Sequence, residues 1–201
     1  MDLIQAIEIF AFVTGLAYIV LEIFQKNAMW VLGIATGIAC AYSFGVQKIW
    51  ASMALNIYYV GVSVWGLWKW SRASKALEAA NSTQEDGGAS VHLSGMTRTT
   101  AAVSIVLFVA GTLLLWFILR ATQDANPWLD SIVSVMSAIA TWWLAKSIPQ
   151  QWLVWIVADI LSMILCLTTG MYWMGALYLF YSLAAVFGWY HWTTHGRYID
   201  A

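Results

Sequence analysis

The chain has 201 residues, of which 62% are hydrophobic and only 9% charged, and its formal net charge is −1. Soluble domains carry about 25% charged residues, so this composition excludes an ordinary soluble domain and indicates a polytopic membrane protein in one domain. The near-neutral charge gives no basis for a nucleic-acid partner. The lipid bilayer is the first partner that the sequence predicts.

Seven apolar stretches are long enough to cross a bilayer as helices. They predict an all-α protein with spans at residues 5–24, 28–46, 50–70, 100–121, 128–147, 151–169 and 171–192. Most turns between the spans are very short, and Pro127 and Pro149 stand where a helix begins, the position that proline tolerates best. The exception is the polar stretch 71–99, which is expected to be a solvated loop, either throughout or after an extension of the third helix.

Lysine and arginine are distributed unevenly between the two sides that seven spans create. One side holds Lys26, Lys69, Arg72, Lys75, Arg98, Lys146 and Arg197. The other side holds only Lys48 and Arg120. The positive-inside rule then places the amino terminus outside the cell, and it makes 71–99 a cytoplasmic loop and 193–201 a cytoplasmic tail.

The second half of the chain repeats the first half without a gap when it is moved back by 122 positions. Matching pairs are Trp30 and Trp152, Tyr59 and Tyr181, Gly66 and Gly188, and Trp70 and Trp192. The repeat predicts two triple-helix bundles, 1–70 and 122–192, joined by a linker helix at 100–121. One intervening span restores the direction of the chain, so the predicted repeat is a parallel 3+1+3 arrangement. Transporters built in this way bind their substrate near the midplane, between the halves.

A stripe in the sixth span carries the strongest functional signal. Trp152, Trp155 and Asp159 are spaced three and four apart, and Asp159 falls near the bilayer midplane. A carboxylate there costs a few kcal/mol, so it is expected to face a cavity or a cation. Two indoles and a carboxylate suit a flat organic cation; the alternative is a protonated Asp bonded between helices. Gly33 and Gly37 occupy the matching first-half positions and predict either a cavity wall or close helix packing.

Further candidates for the substrate site are polar and aromatic residues at a similar depth in the third and seventh spans. They are Asn56, Tyr59, Tyr178 and Tyr181. Hydrogen bonding between helices is the alternative role for each of them. The adjacent Trp142 and Trp143 face about 100° apart, so one is expected to reach the site and the other to meet lipid.

Five motifs in both halves carry a family resemblance. They are Trp30-x-x-Gly33, VWGLWKW at 64–70, LDSIVSVMSAIATWWLAKS from Leu129, QQWLVWIVADIL and LYLFYSLAAVFGWYHW. Through them the chain resembles the Pnu family of bacterial vitamin transporters, whose members carry nicotinamide riboside or thiamine. The resemblance implies SWEET-like triple-helix bundles, facilitated diffusion across the bacterial inner membrane and a homo-oligomer. It also implies a cytosolic kinase that traps the substrate.

The sequence departs from the nicotinamide riboside members of that family. Those members tend to have Asn where Asp159 stands and often Gln where Thr141 aligns. The resemblance therefore adds Thr141 to the substrate-binding candidates, together with Trp30, the counterpart of Trp152. A carboxylate suits both the thiazolium and the aminopyrimidine of thiamine, so thiamine is the first expected substrate. Nicotinamide riboside, which is also a cation, is the alternative.

Other classes of function fit less well. A retinal-type photoreceptor needs a Schiff-base lysine in its last span, and residues 171–192 contain no lysine. The residues around Asp159 show no nucleophile paired with a base and no clustered metal ligands, so an enzyme or a cofactor is not expected. His191 and His195 are spaced four apart and could pair on a metal, but they are expected to lie at the solvated cytoplasmic end of the chain, so no metal site is expected. A membrane sensor or receptor is the remaining alternative.

Overall fold

A computed structural model describes residues 15–46, 50–82, 88–121, 126–168 and 172–199. Within these ranges the chain forms seven helices and two short strands. The helices are α1 (15–23), α2 (Ala28–Val46), α3 (Trp50–Asn81), α4 (Arg98–Ala121), α5 (Pro127–Ala145), α6 (Gln151–Thr168) and α7 (Tyr172–His195). The strands are β1 (Val91–Leu93) and β2 (Gly196–Tyr198). The architecture is that of an all-α polytopic membrane protein.

The helix bounds agree with most of the predicted spans. Helix α2 coincides with the predicted span 28–46, whereas α3 continues beyond residue 70 to Asn81. The start of the first predicted span, residues 5–14, lies outside the described residues. In the described part of the chain, three helices are both long and apolar enough to cross a membrane, namely α4, α5 and α6. The full set of seven spans stays a prediction.

The chain divides into two compact units, residues 1–92 and 93–200. In the first unit, α2 packs along α3. In the second unit, successive helices pack against each other from α4 to α7, so the helix predicted as a linker belongs structurally with the second half. The carbonyl of Leu93, at the end of β1, accepts a hydrogen bond from the Ile199 N–H just after β2.

The turn between α1 and α2 is closed by a left-handed residue that is not glycine. Gln25 has φ 49°, and its N–H donates to the Glu22 carbonyl at 3.1 Å. The Lys26 N–H donates to the Leu21 carbonyl at 2.8 Å, which completes a Schellman cap. The buried side chain of Gln25 also holds the backbone of His92, accepting from its N–H and donating to its carbonyl, both at 2.9 Å.

The turn between α5 and α6 has the same cap, 122 residues further along the chain. Ser147 has φ 58°, and its N–H donates to the Leu144 carbonyl at 2.8 Å. The Ile148 N–H donates to the Trp143 carbonyl at 3.0 Å. Here too the turn anchors the long connection, because the Ser147 carbonyl accepts from the Ser94 N–H at 3.0 Å.

The connection between α3 and α4 begins with the helical extension that was among the expectations, but β1 near its end is buried and not solvated. Its first part is helical to Asn81, and β1 is fully buried, with Val91 0% and Leu93 2% exposed. The ring of His92 meets Trp70 edge-on, with the ring centroids 5.6 Å apart. Ala76, Leu77 and Glu78 have high helix propensity, so α3 continues beyond the end of the predicted span at residue 70. Three residues of β1 are too few to show an apolar pattern in the sequence.

One tryptophan–glycine contact fixes the spacing of α2 and α3. Trp30 is fully buried, and a Cβ added to Gly66 would lie 2.7 Å from its indole ring. Trp70, one turn beyond Gly66, meets the same indole edge-on at 5.0 Å between ring centroids. Any side chain at Gly66 would force the two helices apart.

The second unit repeats this contact between α6 and α7. A Cβ added to Gly188 would lie 2.6 Å from the indole of Trp152, which is 1% exposed. Trp192 meets Trp152 edge-on, with ring centroids 5.5 Å apart. The three residues are those that the 122-position shift pairs with the contact in the first unit. We refer to each set of two tryptophans and one glycine as a Trp–Gly pin.

The Trp–Gly pin predicts that two glycine-to-alanine substitutions on the same helix change the stability differently. Gly66→Ala places a methyl group too close to the Trp30 ring and should lower the free energy of unfolding by about 1–3 kcal/mol. Gly61→Ala adds a methyl where no atom lies within 4 Å, so it should be neutral or stabilise α3 by up to about 1 kcal/mol. Thermal unfolding of the purified variants measures both. Equal melting temperatures for the two variants would contradict this account of the pin.

Burial of His92 predicts a pH-dependent stability. Desolvation lowers the pKa of His92 to about 4, and the charge of Lys69 lowers it further, against a backbone hydrogen bond that raises it. An unfolded histidine has a pKa of about 6.5. Between these two pKa values the unfolded chain binds a proton at His92 and the folded chain does not. The free energy of unfolding therefore has its full value above pH 6.5 and falls between pH 6.5 and about 4. The loss should reach about 2 kcal/mol at pH 5.

His92→Phe is the matched variant for this measurement, because it keeps a ring against Trp70 and cannot titrate. Melting temperatures of the wild type and the variant are compared at pH 7.5 and pH 5. The wild type should lose more stability than the variant on acidification. Parallel losses in the two proteins would show that the acid sensitivity arises elsewhere.

Candidate functional site

Helix α6 carries a buried carboxylate near its middle. Asp159 is 6% exposed and belongs to the packed face of the helix, together with Ala158 and Ser162. Ser162 donates to the Ala158 carbonyl at 2.8 Å, so its hydroxyl is satisfied within the helix. Among the described residues, Glu22 is the other acidic side chain buried to this extent. A carboxylate at this depth of an apolar helix needs a polar or cationic neighbour.

Two tyrosines of α7, the helix packed against α6, lie within electrostatic range of this carboxylate. Asp159 interacts electrostatically with both Tyr178 and Tyr181. The two phenol rings meet edge-on, with centroids 6.4 Å apart. Asp130, from the first turn of α5, and Cys166 of α6 lie within the same range of Tyr178. We refer to Asp159, Tyr178, Tyr181 and Asp130 as the acidic–aromatic cluster.

The acidic–aromatic cluster combines the groups that a flat organic cation requires. Aromatic faces attract a cation held within about 6 Å of the ring, and the attraction grows when water is excluded. Phenol hydroxyls can donate and accept hydrogen bonds, while ionised carboxylates only accept them. The cluster can therefore pair with the charge of a ligand and also hydrogen-bond to its polar substituents.

The predicted tryptophan stripe divides between two environments. Trp152 is part of the Trp–Gly pin and packs against Gly188, whereas Trp155 is half-buried. The indole N–H groups of Trp152 and Trp155 are both buried, and neither has a hydrogen-bond partner within the described ranges. Trp30, in the pin of the first unit, has the same unpaired donor in the part of the chain that the structure describes. The substrate-binding role of all three tryptophans stays a prediction.

In the first unit, α2 and α3 are held close by small residues. A Cβ on Gly37 would lie 2.7 Å from a methyl group of Val60 and 3.5 Å from the Asn56 carbonyl, and one on Gly33 would lie 3.0 Å from the Ser63 hydroxyl. Of the two predicted roles of these glycines, the structure shows close helix packing.

The polar candidates of α3 flank this contact. Asn56 and Tyr59 are both half-buried, and the Tyr59 ring lies 5.5 Å from that of Tyr58. The structure describes them within the first unit, so their predicted place beside the α6 stripe is not tested.

The remaining candidates on α5 already have neighbours. Thr141 is 8% exposed, and its hydroxyl donates to the Ser137 carbonyl at 2.8 Å. Trp143 donates its indole N–H to the Ser104 hydroxyl of α4 at 2.9 Å, while Trp142 lies beneath the ammonium of Lys146. The expectation that one of these two tryptophans reaches the substrate stays a prediction.

The structure adds two neighbours that sequence reasoning missed. Asp130 and Cys166 were not among the candidates from the sequence, yet both lie within electrostatic range of Tyr178. Helical spacing reports which residues share a face but does not report which side chains of another helix they meet. Within the described residues, no group of three or more His, Cys, Asp or Glu side chains is arranged to hold a metal ion.

Comparisons with known proteins agree on one family. A family model described as "Nicotinamide mononucleotide transporter" matches residues 5–194. The nicotinamide riboside transporter PnuC of Haemophilus influenzae is 33% identical over 117 residues, which cover 57% of this chain and 50% of that relative. The Escherichia coli transporter of the same name is 22% identical over 208 residues, covering 95% of this chain and 86% of the relative.

A solved structure shares the fold. The crystal structure described as that of the vitamin B3 transporter PnuC superposes with a TM-score of 0.63 and 24% identity. The match covers 91% of this chain and 78% of the other. This likeness supports the polytopic helical architecture.

Proposed function

Because the chain belongs to the Pnu family of membrane transporters, the family described by the nicotinamide mononucleotide transporter model, we propose that it carries nicotinamide riboside across the membrane. The curated relatives are named for nicotinamide riboside. Their names favour nicotinamide riboside, the alternative predicted from the sequence, over thiamine. Asp159 is compatible with this choice, since nicotinamide riboside also carries a ring cation.

The acidic–aromatic cluster is the observation that carries the proposal. Burial of a carboxylate costs several kcal/mol, which charge pairing with a bound pyridinium ring would offset. Contact between such a cation and a desolvated tyrosine face contributes about 2 kcal/mol more. The carboxamide and ribose hydroxyls of the substrate offer donors and acceptors that match the tyrosine hydroxyls.

We propose the parallel 3+1+3 repeat as the architecture behind this site. Two contacts support it, since both the Trp–Gly pin and the left-handed helix cap recur at a separation of 122 residues. A repeated pin gives each half the same spacing between its second and third helices. The differences between the halves, such as Asp159 against Gly37, would then adapt one shared scaffold to an asymmetric ligand.

The proposal extends to the cellular setting. The uneven lysine and arginine distribution supports an amino terminus outside and a carboxyl terminus in the cytoplasm. Family resemblance supports the bacterial inner membrane, a homo-oligomer, and facilitated diffusion with trapping by a cytosolic kinase.

Substitution of Asp159 tests the site. Asp159→Leu removes both the charge and the hydrogen-bond acceptors and should lower nicotinamide riboside affinity at least about tenfold, or 1.4 kcal/mol. Asp159→Asn keeps an acceptor and should weaken thiamine more than nicotinamide riboside. Titration calorimetry on purified protein measures both ligands.

Ser162→Ala is the matched control, because Ser162 lies one turn away on the same buried face and bonds within α6. It should leave both affinities unchanged. Wild-type nicotinamide riboside affinity in a folded Asp159→Leu protein would make Asp159 a structural acid and remove the support that the cluster gives.

The mode of transport is tested in liposomes. Labelled nicotinamide riboside should reach equal concentrations inside and outside, with or without a proton or sodium gradient. Enclosing a nicotinamide riboside kinase with ATP should produce accumulation, since the phosphorylated product cannot return. Substrate that is concentrated by an ion gradient alone, without the kinase, would refute facilitated diffusion.

A further inference from the structure

A pocket of about 360 Å³ lies in the first unit, beside the turn that joins α1 to α2. That turn forms part of its lining, and residues just before β1 and within it form another part. The α3 extension contributes Ser74, Leu77, Glu78 and Asn81, whose spacing of three and four places them on one helix face. None of the lining residues belongs to the acidic–aromatic cluster or to a Trp–Gly pin.

Side-chain hydrogen bonds hold the parts of this lining together. The amide of Gln25, in the turn, both accepts from and donates to the His92 backbone at 2.9 Å. The amide of Asn81 donates to the Ala89 carbonyl at 2.8 Å, which ties the end of α3 to the segment before β1. The turn and the α3 extension are therefore both bonded to the connection that completes the pocket.

Lys26 and Glu78 place opposite charges on the lining without forming an ion pair with each other. Both are exposed, Lys26 on the turn and Glu78 on α3. Among the described residues, neither side chain has a hydrogen-bond or ionic partner. Lys26 also lies two residues before α2, a helix of 19 residues whose amino-terminal dipole favours an anion. An anion is therefore favoured at Lys26 and a cation at Glu78, at separate places in one pocket.

Two side-chain amides of the lining add hydrogen-bond acceptors. Asn27 donates its amide N–H to the Ser71 hydroxyl at 3.4 Å, while the donor of Asn81 is used by the Ala89 carbonyl. The side-chain oxygens of Asn27 and Asn81 are buried and lack a partner within the described ranges. Buried acceptors without a partner are costly, so a hydroxyl or amide N–H of a ligand would stabilise them.

We propose that this pocket binds a zwitterionic nucleotide, the phosphorylated form of the transported substrate, with its phosphate at Lys26 and its pyridinium ring toward Glu78. The identity of this ligand rests on the proposed function, since phosphorylated nicotinamide riboside carries a ring cation and a phosphate at opposite ends of a ribose. Its hydroxyls and carboxamide N–H groups supply donors for Asn27 and Asn81.

The two charges of the lining distinguish this nucleotide from simpler ligands. Nicotinamide riboside itself lacks the anion for Lys26, and inorganic phosphate lacks the cation for Glu78. The positive-inside rule predicts that Lys26 faces the cytoplasm, where a trapping kinase would release the phosphorylated product.

Titration calorimetry of the full-length protein with nicotinamide mononucleotide, in the presence of saturating nicotinamide riboside, tests the pocket. Wild-type protein should bind the nucleotide while the riboside occupies its own site. Lys26→Gln should weaken nucleotide binding at least about tenfold, because it removes a charge-assisted hydrogen bond to the phosphate. Glu78→Gln should weaken it about threefold, as expected for an exposed charge pair.

Lys75→Gln is the matched control, because Lys75 is also an exposed lysine of the first unit and does not line the pocket. It should leave the nucleotide affinity unchanged. The nicotinamide riboside affinity of each variant should equal that of the wild type, which shows that the variant is folded.

Absence of nucleotide binding to the wild type, or an unchanged affinity in Lys26→Gln, would overturn the proposal. So would equal affinity for inorganic phosphate alone, or displacement of the nucleotide by the riboside, which would place it at the acidic–aromatic cluster. The proposed function fails by a different result, namely a wild-type protein that does not bind nicotinamide riboside. Nucleotide titrations of the wild type and Lys26→Gln without riboside would still decide whether the pocket binds the nucleotide.

Discussion

The packing of an indole directly against a glycine backbone sets the geometry of each unit. Trp30 on Gly66 and Trp152 on Gly188 leave no space for even a methyl group. In a membrane, helices gain little from hiding apolar surface from lipid, so close packing between large and small residues supplies much of their association. The edge-on partners Trp70 and Trp192 hold each indole from a second direction. These contacts therefore fix the positions of the other side chains on α3 and α7.

The acidic–aromatic cluster depends on that rigidity. Tyr178 and Tyr181 lie on α7 two to three turns before its pin glycine, and Asp159 lies two turns after Trp152 on α6. Because the pin fixes these helices against each other, the carboxylate and the two phenols keep their spacing without bonding tightly to one another. Such preorganisation reduces the ordering cost of binding a ligand.

The sequence predicts most helices well because each apolar run ends at polar or turn residues. Hydropathy does not report where a helix ends once it leaves the apolar region, so the sequence predicts an extension of the third helix but not its end at Asn81. The spacing of Trp152 and Asp159 correctly places both on the buried face of α6. It could not show that Trp152 is wedged against Gly188, since that contact joins residues of different helices. Substrate choice is equally inaccessible, because thiamine and nicotinamide riboside both offer a cation to Asp159.

The left-handed turn residues have a consequence for how the chain can vary. Glycine would adopt φ 49° without the strain of about 1–2 kcal/mol that a side chain suffers there. Gln25 nevertheless supplies two buried hydrogen bonds to His92 that glycine cannot make. Glycine at position 25 would therefore suit the backbone but would remove the hydrogen bonds that hold the α3–α4 connection at His92. Substitutions chosen by backbone preference alone would loosen the fold at this turn, and a change at Gln25 would be tolerated only if another group took over the His92 backbone.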